Sequence, residues 1–192
     1  MRKGKSERAR QERRGGRGVT LVDVMNLVII AALLSALGMY GLSRYIRYTK
    51  STEAISSVAS LGKQAAEFYD KSDSTQPPDA TPEAARAMRH FPPSSRGSVP
   101  ADPLDVRGKR YQSSPADWAS SPWKELGFSM AQPQCYAYSF TSSGTGFQAV
   151  AKAQAEGDLN DNGTRSRFSV PVTPGRDAHA IVGNLEKEEP EE

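Results

Sequence analysis

Val24–Leu42 is a run of nineteen residues without a charged side chain, fifteen of them hydrophobic, the exceptions being Asn26, Ser35, Gly38 and Gly41. As a helix rising about 1.5 Å per residue it spans roughly 28 Å, close to the hydrocarbon thickness of a bilayer. Such a run is expected to cross a membrane once, and the rest of the chain has to fold outside it. Hydrophobic residues make up only 37% of the 192 residues, this run included. What remains suffices for a small core, not for a large enzyme with a deep pocket.

The flanking charge orients the span. Residues 1–18 carry Arg2, Lys3, Lys5, Arg8, Arg10, Arg13, Arg14 and Arg17 against Glu7 and Glu12, whereas the whole chain has a formal charge of only +3. The positive-inside rule therefore places the N-terminus in the cytoplasm and everything after Leu42 on the other side. The part that folds outside is slightly acidic, so direct nucleic-acid binding is not expected, because phosphate neutralisation needs a basic face.

A secretory signal peptide would place its small-residue cleavage site after the apolar stretch. Here the small residue, Gly18, precedes the stretch, and Ser43-Arg44-Tyr45-Ile46-Arg47-Tyr48 continues beyond it with interface-type aromatics and bases. The junction Gly18-Val19-Thr20-Leu21-Val22-Asp23-Val24-Met25 resembles the class III leader junction of type IV prepilins and type II secretion pseudopilins. The resemblance implies a cut between Gly18 and Val19 by a prepilin peptidase, N-methylation of Val19, and assembly into a pilus, pseudopilus or DNA-uptake fibre with other subunits and an inner-membrane assembly platform. It implies an inner-membrane precursor with a periplasmic C-terminal domain, on the filament or cell surface once assembled. Gly15 and Gly16 fit the junction less well, since cleavage there leaves Gly16 or Arg17 at the start of the mature chain. The sequence departs from the family in having Val19 for the usual Phe, Asp23 for the usual Glu, and Tyr40 between Gly38 and Gly41 where a helix-kinking Pro usually stands.

A carboxylate near a membrane helix costs about 2.5–3.5 kcal/mol at the bilayer centre and less toward the interface. Asp23 therefore calls for a neutralising partner. One reading makes it a first-turn acid complementing the helix dipole; the resemblance implies instead a salt bridge to the α-amino group of Val19 on a neighbouring subunit.

Beyond Ser43 the helical pattern continues through Ala54, Ile55, Val58, Leu61, Gly62, Ala65, Phe68 and Tyr69, spaced by three and four residues as one apolar stripe. A single helix of roughly 80 Å is expected from Val19 to about Lys71. Ten of thirteen prolines fall in residues 70–134, which reads as a loop region with short helical turns at Thr81-Pro82 and Ser121-Pro122, where a capping hydroxyl precedes Pro. Trp118, Trp123 and Phe128 are expected to pin that region to the core. Strands are expected at Cys135–Phe140, Phe147–Ala155 and Arg165–Val172, with a short one near Ala178–Val182. Ser142–Gly146 reads as a hairpin loop, and Glu186–Glu192 as a solvated or disordered end.

The predicted organisation is thus a basic leader (1–18), a transmembrane and assembly helix (19–42), its amphipathic continuation (43–71), a Pro-rich loop region (72–134), an antiparallel sheet (135–183) and an acidic tail (184–192). The fold class is α+β and pilin-like: a long N-terminal helix packed on a small antiparallel sheet. The resemblance is strongest over residues 15–50 and weaker over 110–172.

No Gly-x-Ser-x-Gly elbow occurs, and neither His90 nor His179 has a neighbouring motif that makes it a general base. An enzyme reading has no residues to name. The single Cys135 excludes an internal disulfide and reads as a small buried residue in a strand, with intermolecular pairing as the alternative. Asp158-Leu-Asn160-Asp161-Asn162-Gly163 matches the first six positions of a calcium loop, with Asp158, Asn160 and Asn162 as oxygen ligands. Its twelfth position is Ser169 and not Glu, so an EF-hand is not supported, and the segment reads as either a plain polar hairpin turn or a partial Ca²⁺ site. The chain as a whole reads as a minor pilin or pseudopilin; the alternative is an uncleaved single-pass anchor carrying a periplasmic binding module.

Overall fold

The computed structural model describes residues 18–72, 81–177 and 179–189. The chain divides after Leu42 into two units. In the first, helix α1 (Leu21–Lys71) begins, and every described residue up to Leu42 is exposed. This stretch is long and apolar enough to cross a membrane. The helix runs through Gly38 and Gly41 without interruption.

In the second unit α1 buries Ser51, Ala54, Val58, Leu61, Gly62, Ala65, Ala66 and Tyr69, the predicted stripe with two changes: Ser51 and Ala66 join it, and Phe68 is only half-buried. Ile55 packs against the core from its edge. The stripe rests on a five-stranded antiparallel sheet of β1 (Ala137–Ser143), β2 (Val150–Gly157), β3 (Ser166–Pro174), β4 (Ala180–Val182) and β5 (Glu186–Glu188). The order is β1-β2-β3, with β4 and β5 both pairing with the far edge of β3. The α+β arrangement of one long apolar helix on a small antiparallel sheet is therefore present.

The register explains the packing. Tyr138 opposes Ala155, which opposes Phe168; Phe140 opposes Ala153, which opposes Val170. Large side chains on the two neighbours of β2 thus flank its strip of alanines on one buried face. Facing small residues lets the helix approach: a Cβ on Gly62 would stand 3.0 Å from Cγ1 of Val170. Gly62→Val is expected to lower stability by about 1–3 kcal/mol through overpacking. Thermal unfolding of the full-length protein checks this, and an unchanged Tm would contradict the close approach.

Several expected boundaries move. Cys135 is fully buried but precedes β1, lying in a bend next to the isolated bridge between Tyr111 and Gln134. Phe147 lies outside β2, in a 3₁₀ turn, Gly146–Gln148, and is exposed. Strand β1 continues through Ser142 and Ser143, so the hairpin loop is 144–149. The displacement follows from Gly144 and Gly146, both at positive φ, where the chain turns back late. Tyr69 Oη donates to the Gly146 carbonyl at 2.8 Å, and Gly146 N donates to Arg89 O at 2.8 Å, which ties this loop to the ends of two helices.

The Pro-rich region contains α2 (Pro82–Met88), capped as expected by the Thr81 hydroxyl accepting from Ala84 N. The second expected cap is absent. Helix α3 (Trp123–Leu126) starts one residue late, with Pro122 at the cap position and no side-chain cap. The Ser121 hydroxyl is instead buried away from any partner. Real caps sit at 3₁₀ turns: Asp102 at Pro103–Val106 and Ser114, in a capping box with Asp117, at Pro115–Trp118. Trp118, Trp123 and Phe128 stack with ring centroids 5.1–6.0 Å apart, and Phe128 meets Tyr138 at 5.8 Å, so the aromatics do pin the region to the core.

The same region covers the free edge of β1. Val99 exchanges backbone hydrogen bonds with Tyr138, Ser95 N donates to Phe140 O, and the hydroxyls of Ser95 and Ser94 accept from Phe140 N and Ser142 N. Prolines lack the N–H needed for a continuous ladder, and the serine side chains complete it. The edge is thereby withdrawn from intermolecular pairing.

The acidic end is solvated as expected but ordered in part. Glu186–Glu188 forms β5, whose three residues are all exposed, and residues 190–192 of the expected tail lie outside the described residues. Glu188 pairs with Arg167 at 2.7 Å, and Glu186 with Lys152 at 3.1 Å and with the Ser169 hydroxyl at 2.9 Å. The lysine holds the Glu186 carboxyl below its ordinary range, with Ser169 assisting. Cross-strand charge complementarity orders these three residues.

Candidate functional site

The described chain starts with Gly18, Val19 and Thr20 in an exposed, non-helical segment immediately before α1. Val19 is 77% exposed. A Cβ on Gly18 would meet nothing within 4 Å. Among the described residues nothing covers the Gly18–Val19 peptide, and residues 1–17 of the leader lie outside them.

Thr20 and Asp23 bind one another reciprocally. Thr20 N and Thr20 Oγ1 both donate to Asp23 Oδ2, at 2.9 and 2.7 Å, and Asp23 N donates to Thr20 Oγ1 at 3.2 Å. This is a capping box, in which two otherwise unsatisfied donors at the helix start find acceptors. Val24 N then donates to Thr20 O at 3.2 Å, closing the first turn. Asp23 thus acts as a first-turn acid, with its bonds to Thr20 concentrated on a single oxygen. Sequence reading overlooked Thr20, although the Thr-x-x-Asp spacing ahead of an apolar run announces the pair.

The Asp158–Gly163 segment links β2 to β3. Asp158 is 4% exposed. Its Oδ1 accepts from Asn162 N at 3.2 Å and its Oδ2 from Gly163 N at 2.9 Å. Asn160 Oδ1 accepts from Asn162 N at 3.1 Å, and Asn162 Oδ1 from Thr164 N at 2.7 Å. The left-handed positions are Asp161 and Gly163. The side-chain oxygens thus hold the turn's own backbone donors.

A cation already lies against the carboxylates. Arg107 Nε approaches Asp158 Oδ2 at 3.2 Å and forms a close ion pair with Asp161 Oδ1, and its Nη2 donates to Asp161 O at 3.3 Å. Gly108 N donates to Asp158 O at 2.7 Å. Arg107 is distant in sequence from the turn, and nothing in its neighbourhood marks it as a partner. Ser169, the twelfth position counted from Asp158, is buried within β3 and bonded to Glu186, away from the turn.

Neither histidine joins these groups. His90 lies edge-on to Phe68, and His179 Nδ1 is 3.4 Å from Asp70 Oδ2, whose Oδ1 accepts from Ala180 N at 2.9 Å. Asp70 thereby fastens β4 to the last turns of α1. Burial, and then the Glu53 charge, push the Cys135 thiol above its usual value, with Lys50 and Arg110 pulling it back. A thiol so enclosed fits the packing role rather than pairing with another chain.

No family model, curated protein or solved structure matches the chain.

Proposed function

We propose that the chain is a pilin-like structural subunit: inserted as a single-span precursor, cut after Gly18 by a prepilin peptidase, methylated at Val19, and packed through its apolar helix into a type IV pilus or secretion pseudopilus. The observation that carries the reading is the pairing of an exposed Gly18–Val19 segment with a helix that begins three residues after Gly18 and whose apolar first part, through Leu42, is exposed at every described residue. A soluble fold would bury so many large side chains. A membrane accepts them before assembly, and neighbouring subunit helices accept them after it. The basic leader keeps the N-terminus in the cytoplasm, leaving the second unit in the periplasm. In cells without the peptidase the chain is expected to stay in the membrane fraction at precursor length; loss of the leader there would contradict the proposal.

The Thr20–Asp23 capping box favours a second reading, the uncleaved anchor, in which Asp23 does nothing beyond starting the helix. The two readings differ in whether residues 1–18 persist.

We read the 158–163 turn as a hairpin braced by Arg107, whose guanidinium pairs with Asp158, the one carboxylate among the expected Ca²⁺ ligands, and with Asp161 beside it. Arg107→Ala is expected to cost about 1–3 kcal/mol by leaving a buried carboxylate short of a partner, lowering Tm by about 3–10 °C. Millimolar Ca²⁺ is expected to leave the wild-type Tm where chelator leaves it. A bound cation at 100-fold saturation would add about 2.7 kcal/mol, so a rise of several degrees in Ca²⁺, lost in Asp158→Ala, would assign the turn to calcium.

A further inference from the structure

A groove of about 640 Å³ runs along the first turns of α1 in the second unit, between the helix and Arg110. Tyr45 and Tyr48, both largely exposed, line it near the end of the apolar run, Tyr45 only three residues beyond Leu42. Lys50 and Arg110 line it further along. Arg110 is held there by its neighbour, because Tyr111 exchanges backbone hydrogen bonds with Gln134 at 2.9 and 2.8 Å. The next residue, Cys135, donates its N–H to Glu53 Oε1 at 3.2 Å. Glu53 is the one acid among the described residues that line the groove; one of its oxygens is thus engaged by the protein backbone, and two cations stand beside it.

We propose that this groove seats the phosphate of an anionic phospholipid headgroup, with Lys50 and Arg110 neutralising it and the tyrosines flanking it at the membrane interface. Lys50, Arg110 and Glu53 sum to +1, complementary to one phosphodiester. A zwitterionic headgroup brings its own cation and loses that complementarity. Tyrosine is favoured at this depth because its ring is apolar and its hydroxyl stays hydrated. The site rests on the reading of Val24–Leu42 as a membrane span, which puts lipid headgroups within reach of the groove. Its effect is to hold the subunit against the membrane surface before extraction.

The test is native mass spectrometry of the full chain in detergent with phosphatidylglycerol or phosphatidylcholine of identical acyl chains. Each Lys or Arg near an anionic surface is worth about fivefold in binding, so phosphatidylglycerol is expected to be retained over phosphatidylcholine by about tenfold or more. The double change Lys50→Gln with Arg110→Gln is expected to bring the two lipids to parity, and Lys63→Gln, an exposed charge elsewhere on the helix, to leave the preference intact. Equal retention by the wild type, a preference that survives the double change, or displacement of the lipid by millimolar inorganic phosphate would each overturn the proposal. Should circular dichroism show the double variant unfolded, Arg110→Gln alone must lower the preference about fivefold; an unchanged preference overturns the assignment. Retention of neither lipid, by a chain that stays monomeric in water without detergent, would instead overturn the membrane span and this site with it.

Discussion

Gly18→Leu is expected to abolish processing, leaving a full-length protein in the membrane and no mature species. The fold itself does not object to the change. A Cβ at this position meets nothing within 4 Å, and the backbone lies outside the left-handed region that favours glycine. Leucine therefore leaves the precursor's helix and second unit as they are. The loss arises in the peptidase, which has to bring its catalytic groups against the Gly18–Val19 backbone. Because the effect is on a covalent step, it reads as presence or absence of the shortened chain on a gel. Processing of Gly18→Leu at the wild-type level would show that the cut lies elsewhere or does not occur.

Asp23→Val is expected to insert in the membrane at least as well as the wild type and to be cut normally, yet to assemble into almost no filament. Removing the carboxylate relieves a membrane cost of up to about 2.5–3.5 kcal/mol. It also removes the acceptor of the capping box, worth about 1 kcal/mol, so the two effects on the isolated subunit oppose each other. Assembly has no such offset, because the Val19 amine exposed by cleavage would be left unpaired among apolar helices. Asp23→Asn separates the two roles. Asparagine still accepts from Thr20, so a capping role predicts assembly near wild type, whereas the charge-pairing role predicts the same loss as valine. Sheared filament yield, compared at equal levels of processed subunit, reads the outcome. Wild-type yield from Asp23→Asn would reduce Asp23 to a helix cap.

What the sequence discloses about this fold is what local periodicity encodes. The stripe from Ala54 to Tyr69 shows itself because a helix repeats every 3.6 residues, and the alanines of β2 because a strand repeats every two. Errors cluster where a distant partner decides. Phe147 looks like strand, but Gly146 at positive φ, tied to Tyr69 and Arg89, turns the chain first. Ser121 is the exception, since no distant partner decides it: it looks like a cap, but its hydroxyl is buried without a partner and α3 begins beyond it. Glu186–Glu188 looks like a charged tail, and becomes a strand because Arg167, Lys152 and Ser169 present complementary groups across the sheet. The candidate site divides in the same way. Gly18 and Asp23 are legible as a local motif, and Thr20 is legible from its spacing. Arg107 is not, since only the folded chain brings it to Asp158 and Asp161.

Under the proposed function the chain is a precursor whose apolar helix becomes a new N-terminus. The intact mass of the protein purified from membranes of cells that contain the prepilin peptidase tests it most directly. A single species lacking residues 1–18 and carrying one added methyl group on Val19 is expected; a species that retains the leader through Gly18 would reject the processing step.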